Sequence, residues 1–343
     1  MNGRFNMLRR YDELPNGFLS CGAADLQAML GGPSLFYLEG QRSPPLFITV
    51  LQHGNEPTGF EAVQQILRKY RGGKLPRSVW LFVSNVAAAA EGHRVLEGQA
   101  DHNRVWPGTP VVDCSEAALM REVVETVTQD GLFASIDLHN NTGCNPHYGC
   151  VNKLETLFLN LAALFARTVV FFETPRGVQS LAMAEHCASV TLECGQAGEN
   201  AALRHAFDYI DACLHLHHLP ETPPHPTDIH LLHTVAIVKM RPVLSFGFEG
   251  EALDVHFRSD LDHYNFSVLE QGATLAKVTD MDALPIIVTD DAGNDISDKV
   301  FEVVEGRLRT RCAIIPSMAT LDTRVIDQDC LFYLMEEMAL PTP

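Results

Sequence analysis

Through its first two-thirds the chain alternates short, uninterrupted apolar runs with longer segments whose apolar residues recur at helical spacing. Leu46–Leu51 (LFITVL) has strand length, and the segment after Gly54 carries Phe60, Val63, Ile66, Leu67 and Tyr70 at helical intervals. Val79–Val86, Leu132–Leu138, Thr168–Phe172 and Ser189–Cys194 are further strand-like runs, whereas Ser115–Gln129, Leu154–Ala166 and Ala201–Leu219 read as helices, the first with Ser115 as its expected N-cap. A strand without polar alternation must be covered on both faces. The pattern therefore predicts an α/β layer: a mixed, largely parallel sheet flanked by helices.

The pattern stops at Leu219. Residues 220–228 (PETPPHPTD) contain four prolines, cannot continue a helix and read as a linker between a domain at 1–219 and a smaller one at 229–343. The second domain reads as β-rich, with short runs at Thr234–Met240, Leu253–Phe257, Thr274–Val278, Ile286–Thr289 and Leu308–Ile315.

Charge narrows the function. With 25 Lys+Arg against 43 Asp+Glu the chain carries a formal −18, which repels phosphate backbones and anionic membranes. Residues 1–10 are polar and basic, and Asp12, Glu13 and Pro15 follow where an export signal would be apolar. Nine cysteines without a CxxC pair suggest reduced, mostly buried thiols, so the expected compartment is the cytoplasm. The expected partner is a small molecule, with homo-oligomer formation left open.

Candidate chemistry gathers at strand ends, where α/β sheets collect their ligands. His53-Gly-Asn-Glu56 follows the run Leu46–Leu51, and a His and a Glu three apart can face one metal ion. A surface histidine beside a glutamate favoured by a helix N-terminus accounts for that pair equally well. His139 ends Asp137-Leu-His139 and has the type and position of a third ligand; two His and one Glu with a fourth position open is the layout of a hydrolytic zinc site. Asp137 could orient a ligand or be a satisfied core carboxylate. Glu193, in Thr191-Leu-Glu193-Cys-Gly195, is a carboxylate in an apolar strand, suited to general base and acid work. Arg94 and Arg104 are candidate carboxylate-binding cations in an otherwise acidic chain.

In this order, His53-Gly-Asn-Glu56-Pro-Thr-Gly59, Gly92-His-Arg94, Asp101-His-Asn103-Arg104, Asp137-Leu-His139-Asn140 and Leu192-Glu193-Cys-Gly195 resemble the succinylglutamate desuccinylase/aspartoacylase family of the zinc carboxypeptidase superfamily. The resemblance implies a zinc-carboxypeptidase-like catalytic domain and one Zn2+ per chain on His53, Glu56 and His139. It also implies Glu193 as catalytic base and acid, Arg94 as the group polarising the scissile carbonyl, and Asn103 and Arg104 as the grip on a substrate carboxylate. The implied reaction is hydrolysis of the amide bond of an N-acyl amino acid or similar small molecule. A carboxypeptidase acting on peptides or peptidoglycan fragments and a metal-binding, non-catalytic regulatory protein are the alternatives.

The chain departs from the family pattern in places. His102 replaces the usual leucine, and Arg94 to Arg104 is about two residues longer than in typical members. The arginine that reads the acyl carboxylate in aspartoacylases should precede Glu193 by around ten residues, where Met183 stands; the nearest arginine is Arg176. Tyr148 and Tyr264 are candidates for the phenol that closes over substrate. The histidines from His215 to His233 read as a solvated helix end and linker, and Asp280, Asp282, Asp290, Asp291, Asp295 and Asp298 as turn residues.

Overall fold

A computed structural model describes residues 7–250, 253–279 and 283–340, leaving Asp280 and Asp282 outside the described residues. The chain divides into two compact units. One runs through Asn140 and resumes over His147–His230; the other comprises Leu231–Ala339 and the short stretch Asn141–Pro146.

The first unit is built on a mixed, mostly parallel sheet. Its strands are β1 (Arg9–Tyr11), β2 (Ser34–Leu38), β3 (Leu46–Val50), β4 (Val79–Val83), β5 (Ala134–Asn141), β6 (Tyr148–Val151), β7 (Thr168–Phe171) and β8 (Ser189–Gln196). Their spatial order is β1-β2-β4-β3-β5-β8-β6-β7. β3 runs parallel to β4 and β5, β1 to β2 and β6 to β7, while β2 is antiparallel to β4 and β6 to β8. Its helices are α1 (Leu26–Leu30), α2 (Thr58–Lys69), α3 (Val86–Glu91), α4 (Ser115–Val127), α5 (Thr156–Ala163), α6 (Gln179–Met183) and α7 (Asn200–His215). All of β3 is buried, which is why its sequence shows no polar alternation. Phe47 and Phe82 from the sheet pack with Leu119, Met120 and Val123 of α4, and Trp106 and Met183 complete that cluster.

Several boundaries differ from the sequence expectations for identifiable reasons. The N-cap of α4 is Cys114, whose Sγ accepts from the Ala117 amide, and Ser115 is the first helical residue. β5 continues through Asn141, so His139 lies inside the strand rather than beyond it. α7 stops at His215, short of Leu219. Arg77, its guanidinium 3.7 Å from the Phe133 ring centroid, donates to the Leu216 and His217 carbonyls and holds the chain end out of the helix.

The second unit is β-rich. β9 (His230–Met240) pairs with β13 (Ile286–Asp290) and β17 (Phe332–Glu337), and β17 with β16 (Ile315–Ser317). A five-stranded sheet has the order β10 (Phe246–Gly247), β11 (Val255–Phe257), β12 (Thr274–Val278), β15 (Arg307–Thr310), β14 (Phe301–Val304). The single run expected over Leu308–Ile315 is thus two strands, broken where the Arg311 amide turns to the Val300 carbonyl. Val238, Ile286 and Phe332 share one apolar cluster with Phe257, Leu275, Phe301 and Leu308. Asp290 and Asp295 serve as turn residues: Asp290 accepts from the Asn294 amide and Asp295 from the Ser297 amide.

Two backbone features shape the exit from β3. Leu51, fully buried, takes φ = 57°, a region in which a bulky residue persists only when its surroundings hold it. At Gly54 a Cβ would lie 2.2 Å from the Ala88 carbonyl carbon of α3, so only glycine permits this approach. Gly54→Ala is expected to cost about 3 kcal/mol or more by forcing α3 away. A urea midpoint close to wild type would show that the approach is not tight.

Candidate active site

His53 and Glu56 lie in the turn after β3, His139 inside β5 and Glu193 inside β8. Because β3, β5 and β8 are consecutive in the sheet, residues distant in sequence converge. Among the described residues, His53, Glu56 and His139 are the only group of His, Cys, Asp or Glu able to hold a metal ion, with ligand atoms all within 4.8 Å of one another.

The Glu56 carboxylate joins both rings: Oε1 lies 2.8 Å from His53 Nδ1 and Oε2 2.8 Å from His139 Nδ1. Each ring turns its other nitrogen to an aspartate, His53 Nε2 lying 3.2 Å from Asp101 Oδ1 and His139 Nε2 2.8 Å from Asp137 Oδ2. A carboxylate on the far nitrogen fixes the orientation of a metal-binding imidazole and raises its basicity. Asp137 adopts this arrangement, and so does Asp101, a part that its place in the sequence does not signal.

The charges are strongly coupled. Burial pushes the Glu56 carboxyl up, but the two imidazoles outweigh it and hold the group well below the usual carboxylate range. Burial and Arg94 oppose protonation of His53, yet Glu56 and Asp101 prevail and raise its pKa. His139 is raised well above the ordinary value, Asp137 and Glu56 overcoming its burial. Glu193 behaves oppositely: burial, reinforced by the charges of Glu56 and Asp137, pushes it up to about 7 despite the nearby imidazoles.

The residues fit a divalent cation. The donor set is two imidazoles and a carboxylate. Glu193 Oε2 and Asp137 Oδ1 are moreover buried without a hydrogen-bond partner among the described residues, so acceptors outnumber the available protein donors.

Arg94 is anchored by its carbonyl, which accepts from the Gly54 amide, and its guanidinium lies 3.6 Å from Glu56 Oε1 and 3.3 Å from Asp101 Oδ2. Asp101 also accepts from the Asn103 amide at 2.8 Å. Asn103 is buried: Oδ1 accepts from Gln52 Nε2 and the Gln179 amide, and Nδ2 lies 3.3 Å from His139 Nε2. Arg104 is half-buried, donating from Nη1 to the Asn103 carbonyl. Its own carbonyl would lie 2.2 Å from a Cβ at Gly177 (φ = 80°), a close approach that seats the Arg104 turn. His102 is buried beside Ser84 Oγ, with burial lowering its pKa to about 4.

Tyr148 sits directly opposite Glu193 in the β6–β8 ladder, whereas Tyr264 belongs to the second unit, where its hydroxyl accepts from Arg258. Met183 is fully buried in the apolar cluster under α4, and Arg176 is exposed. Gln52 and Trp106, a buried amide and the indole that donates to it, were not singled out from sequence. A polar residue between a wholly apolar strand and the His53–Glu56 turn was the available signal.

Paired imidazoles, a carboxylate between them and a buried carboxyl near neutrality, in neighbouring strands and the adjoining turn of an α/β sheet, suit a hydrolase site. Residues 43–210 match the sequence profile described as the succinylglutamate desuccinylase/aspartoacylase catalytic domain, and this part of the chain belongs to that family of deacylases. Among curated proteins no sequence matches significantly. Solved structures share the fold. A succinylglutamate desuccinylase/aspartoacylase from Rhodobacter sphaeroides aligns with a TM-score of 0.59 at 16% identity, covering 88% of each chain. Murine aminoacylase 3 gives 0.54 at 16%, covering 87% of this chain and 97% of its own. A succinylglutamate desuccinylase from Vibrio parahaemolyticus gives 0.54 at 16%, covering 82% and 86%. No helix of the described residues is long and apolar enough to cross a membrane.

The Glu193 carboxyl carries a stability consequence. With its pKa raised from 4.5 to about 7, the folded state binds this proton more tightly than the unfolded chain does. Stability is therefore complete below pH 4.5 and declines as pH rises to 7, by up to about 3 kcal/mol. In metal-free protein, Glu193→Gln should gain over wild type by that order at pH 8 and by little at pH 5. Equal urea midpoint differences at both pH values would refute the burial argument.

Proposed function

We propose that the chain is a zinc-dependent amidohydrolase that removes the acyl group from an N-acyl amino acid or a similar small molecule bearing a carboxylate. The observation that carries the reading is Glu193, buried, open at Oε2 and pushed up to about 7, within electrostatic reach of the Glu56-linked imidazoles. A group poised near neutrality can both take and return a proton.

In this reading His53, Glu56 and His139 hold the zinc. When bound there, zinc supplies Lewis acidity, activating water and polarising a carbonyl. Glu193 accepts the proton of the attacking water at Oε2 and delivers it to the departing amine. Arg94, held at the cluster by Asp101, stabilises the developing oxyanion. Arg104 binds the substrate carboxylate, its guanidinium suited to two parallel hydrogen bonds, and Asn103 completes the floor beneath it.

The acyl pocket is expected to favour an uncharged group. Met183, at the place where the family's acyl-reading arginine is sought, is packed in apolar core, and Arg176 is exposed.

Metal content and release of free amine would be measured for N-acetyl, N-formyl and N-succinyl amino acids and short peptides. Wild type should hold one zinc per chain and turn over N-acetyl substrates at least about ten-fold better than N-succinyl ones. Preference for short peptides would favour a carboxypeptidase. Glu193→Gln should keep zinc and lose about 100-fold or more in kcat, and His139→Ala should lose zinc. Turnover persisting in zinc-loaded Glu193→Gln would overturn the mechanism. Arg104→Met should raise KM about ten-fold for substrates with a free carboxylate while sparing their amides; an equal effect on both would remove Arg104 from that role.

A further inference from the structure

Gln52 is fully buried, and both ends of its amide are engaged. Trp106 Nε1 donates to its Oε1 at 2.6 Å; its Nε2 donates to Asp137 Oδ2 at 2.6 Å and to Asn103 Oδ1 at 3.2 Å, with Gln179 Oε1 at 3.4 Å. The partners dictate which way the amide points. An indole N–H only donates, so the atom facing it is oxygen, and the amide nitrogen is then the atom that donates to the Asp137 carboxyl oxygen. Trp106 is itself fully buried among Phe47, Phe82 and α4.

Asp137 Oδ2 is the oxygen that also faces His139 Nε2, and His139 turns Nδ1 to Glu56. Asn103 Oδ1, fixed by Gln52 and the Gln179 amide, leaves Nδ2 beside the same imidazole nitrogen. One amide therefore sets the carboxylate that orients His139 and the carboxamide next to it.

We infer that Gln52, locked by the Trp106 indole, is a positioning residue for the metal site: through Asp137 it fixes the His139 ring so that Nδ1 is presented for metal binding. This deepens the proposed zinc site and rests on it. Loss of the group behind a metal-binding histidine typically weakens metal affinity by about 10–100-fold.

Zinc affinity, measured by competition with a chromophoric chelator, and the absorption spectrum of the Co2+-substituted protein would be compared for wild type, Gln52→Met and Trp106→Phe. Gln52→Met keeps the volume and removes the amide. Acting one contact behind Asp137, it should weaken zinc binding by up to about ten-fold and alter the Co2+ spectrum, and Trp106→Phe should do the same to a smaller degree. Wild-type affinity and spectrum in folded Gln52→Met, even with a lowered urea midpoint, would show a purely structural role and overturn the inference. If Gln52→Met does not fold, Trp106→Phe decides on the same two readouts. Wild type that takes up no zinc would instead overturn the proposed function, so the two failures are distinguishable.

Discussion

Glu56, Asp101, Asp137 and Glu193 are carboxyl groups brought together by neighbouring strands and the loops beside them, the first, third and fourth of them buried. Confined anions of this kind repel one another strongly where the dielectric is low, and the fold must supply positive charge among them. Arg94, shared by Glu56 and Asp101, gives part of it. The remainder is carried by His53 and His139, either as ring protons or by handing the balance to a bound dication, so that metal and protons compete for one set of nitrogens. Glu193, whose burial outweighs the pull of the two imidazoles, holds its own proton up to about pH 7.

The sheet order makes this concentration of charge achievable. β3, β5 and β8 lie side by side, so the sequence separation between His53, His139 and Glu193 becomes one strand spacing per step. The apolar cluster beneath, with Phe47, Phe82 and the α4 residues, leaves these polar side chains few alternative positions. Gly54 and Gly177 complete the arrangement by letting α3 and the Arg104 turn approach more closely than a side chain would allow.

The convergence of His53, Glu56 and His139 was legible in the sequence because each lies by a strong local signal: an unbroken apolar run ending in a polar residue type with defined chemistry. β3, β12 and the start of β5's buried run follow from the same signal. β1, with its Arg9-Arg10-Tyr11, and the short β6 carry too little apolar contrast to be found this way. The end of α7 depends on Arg77, more than a hundred residues away in sequence, reaching the Leu216 and His217 carbonyls just beyond it. Gln52 and Trp106 escaped for a related reason. An amide and an indole have no meaning as a pair until the chain folds, and the function of Asp101 as partner to His53 depends on a loop whose path only the tertiary structure defines.

Met183 bears on how substrate choice could change over evolutionary time. Its side chain occupies the closed apolar layer shared by Leu119, Met120 and Val123, with no exposed surface. An arginine arising at that codon would bring a guanidinium into hydrocarbon, where an unpaired charge unfolds more readily than it recruits an anion. An arginine at this position therefore requires α6 to be re-seated first, a route of several coordinated changes. The packing of a single methionine thus places an arginine at this position more than one mutational step away.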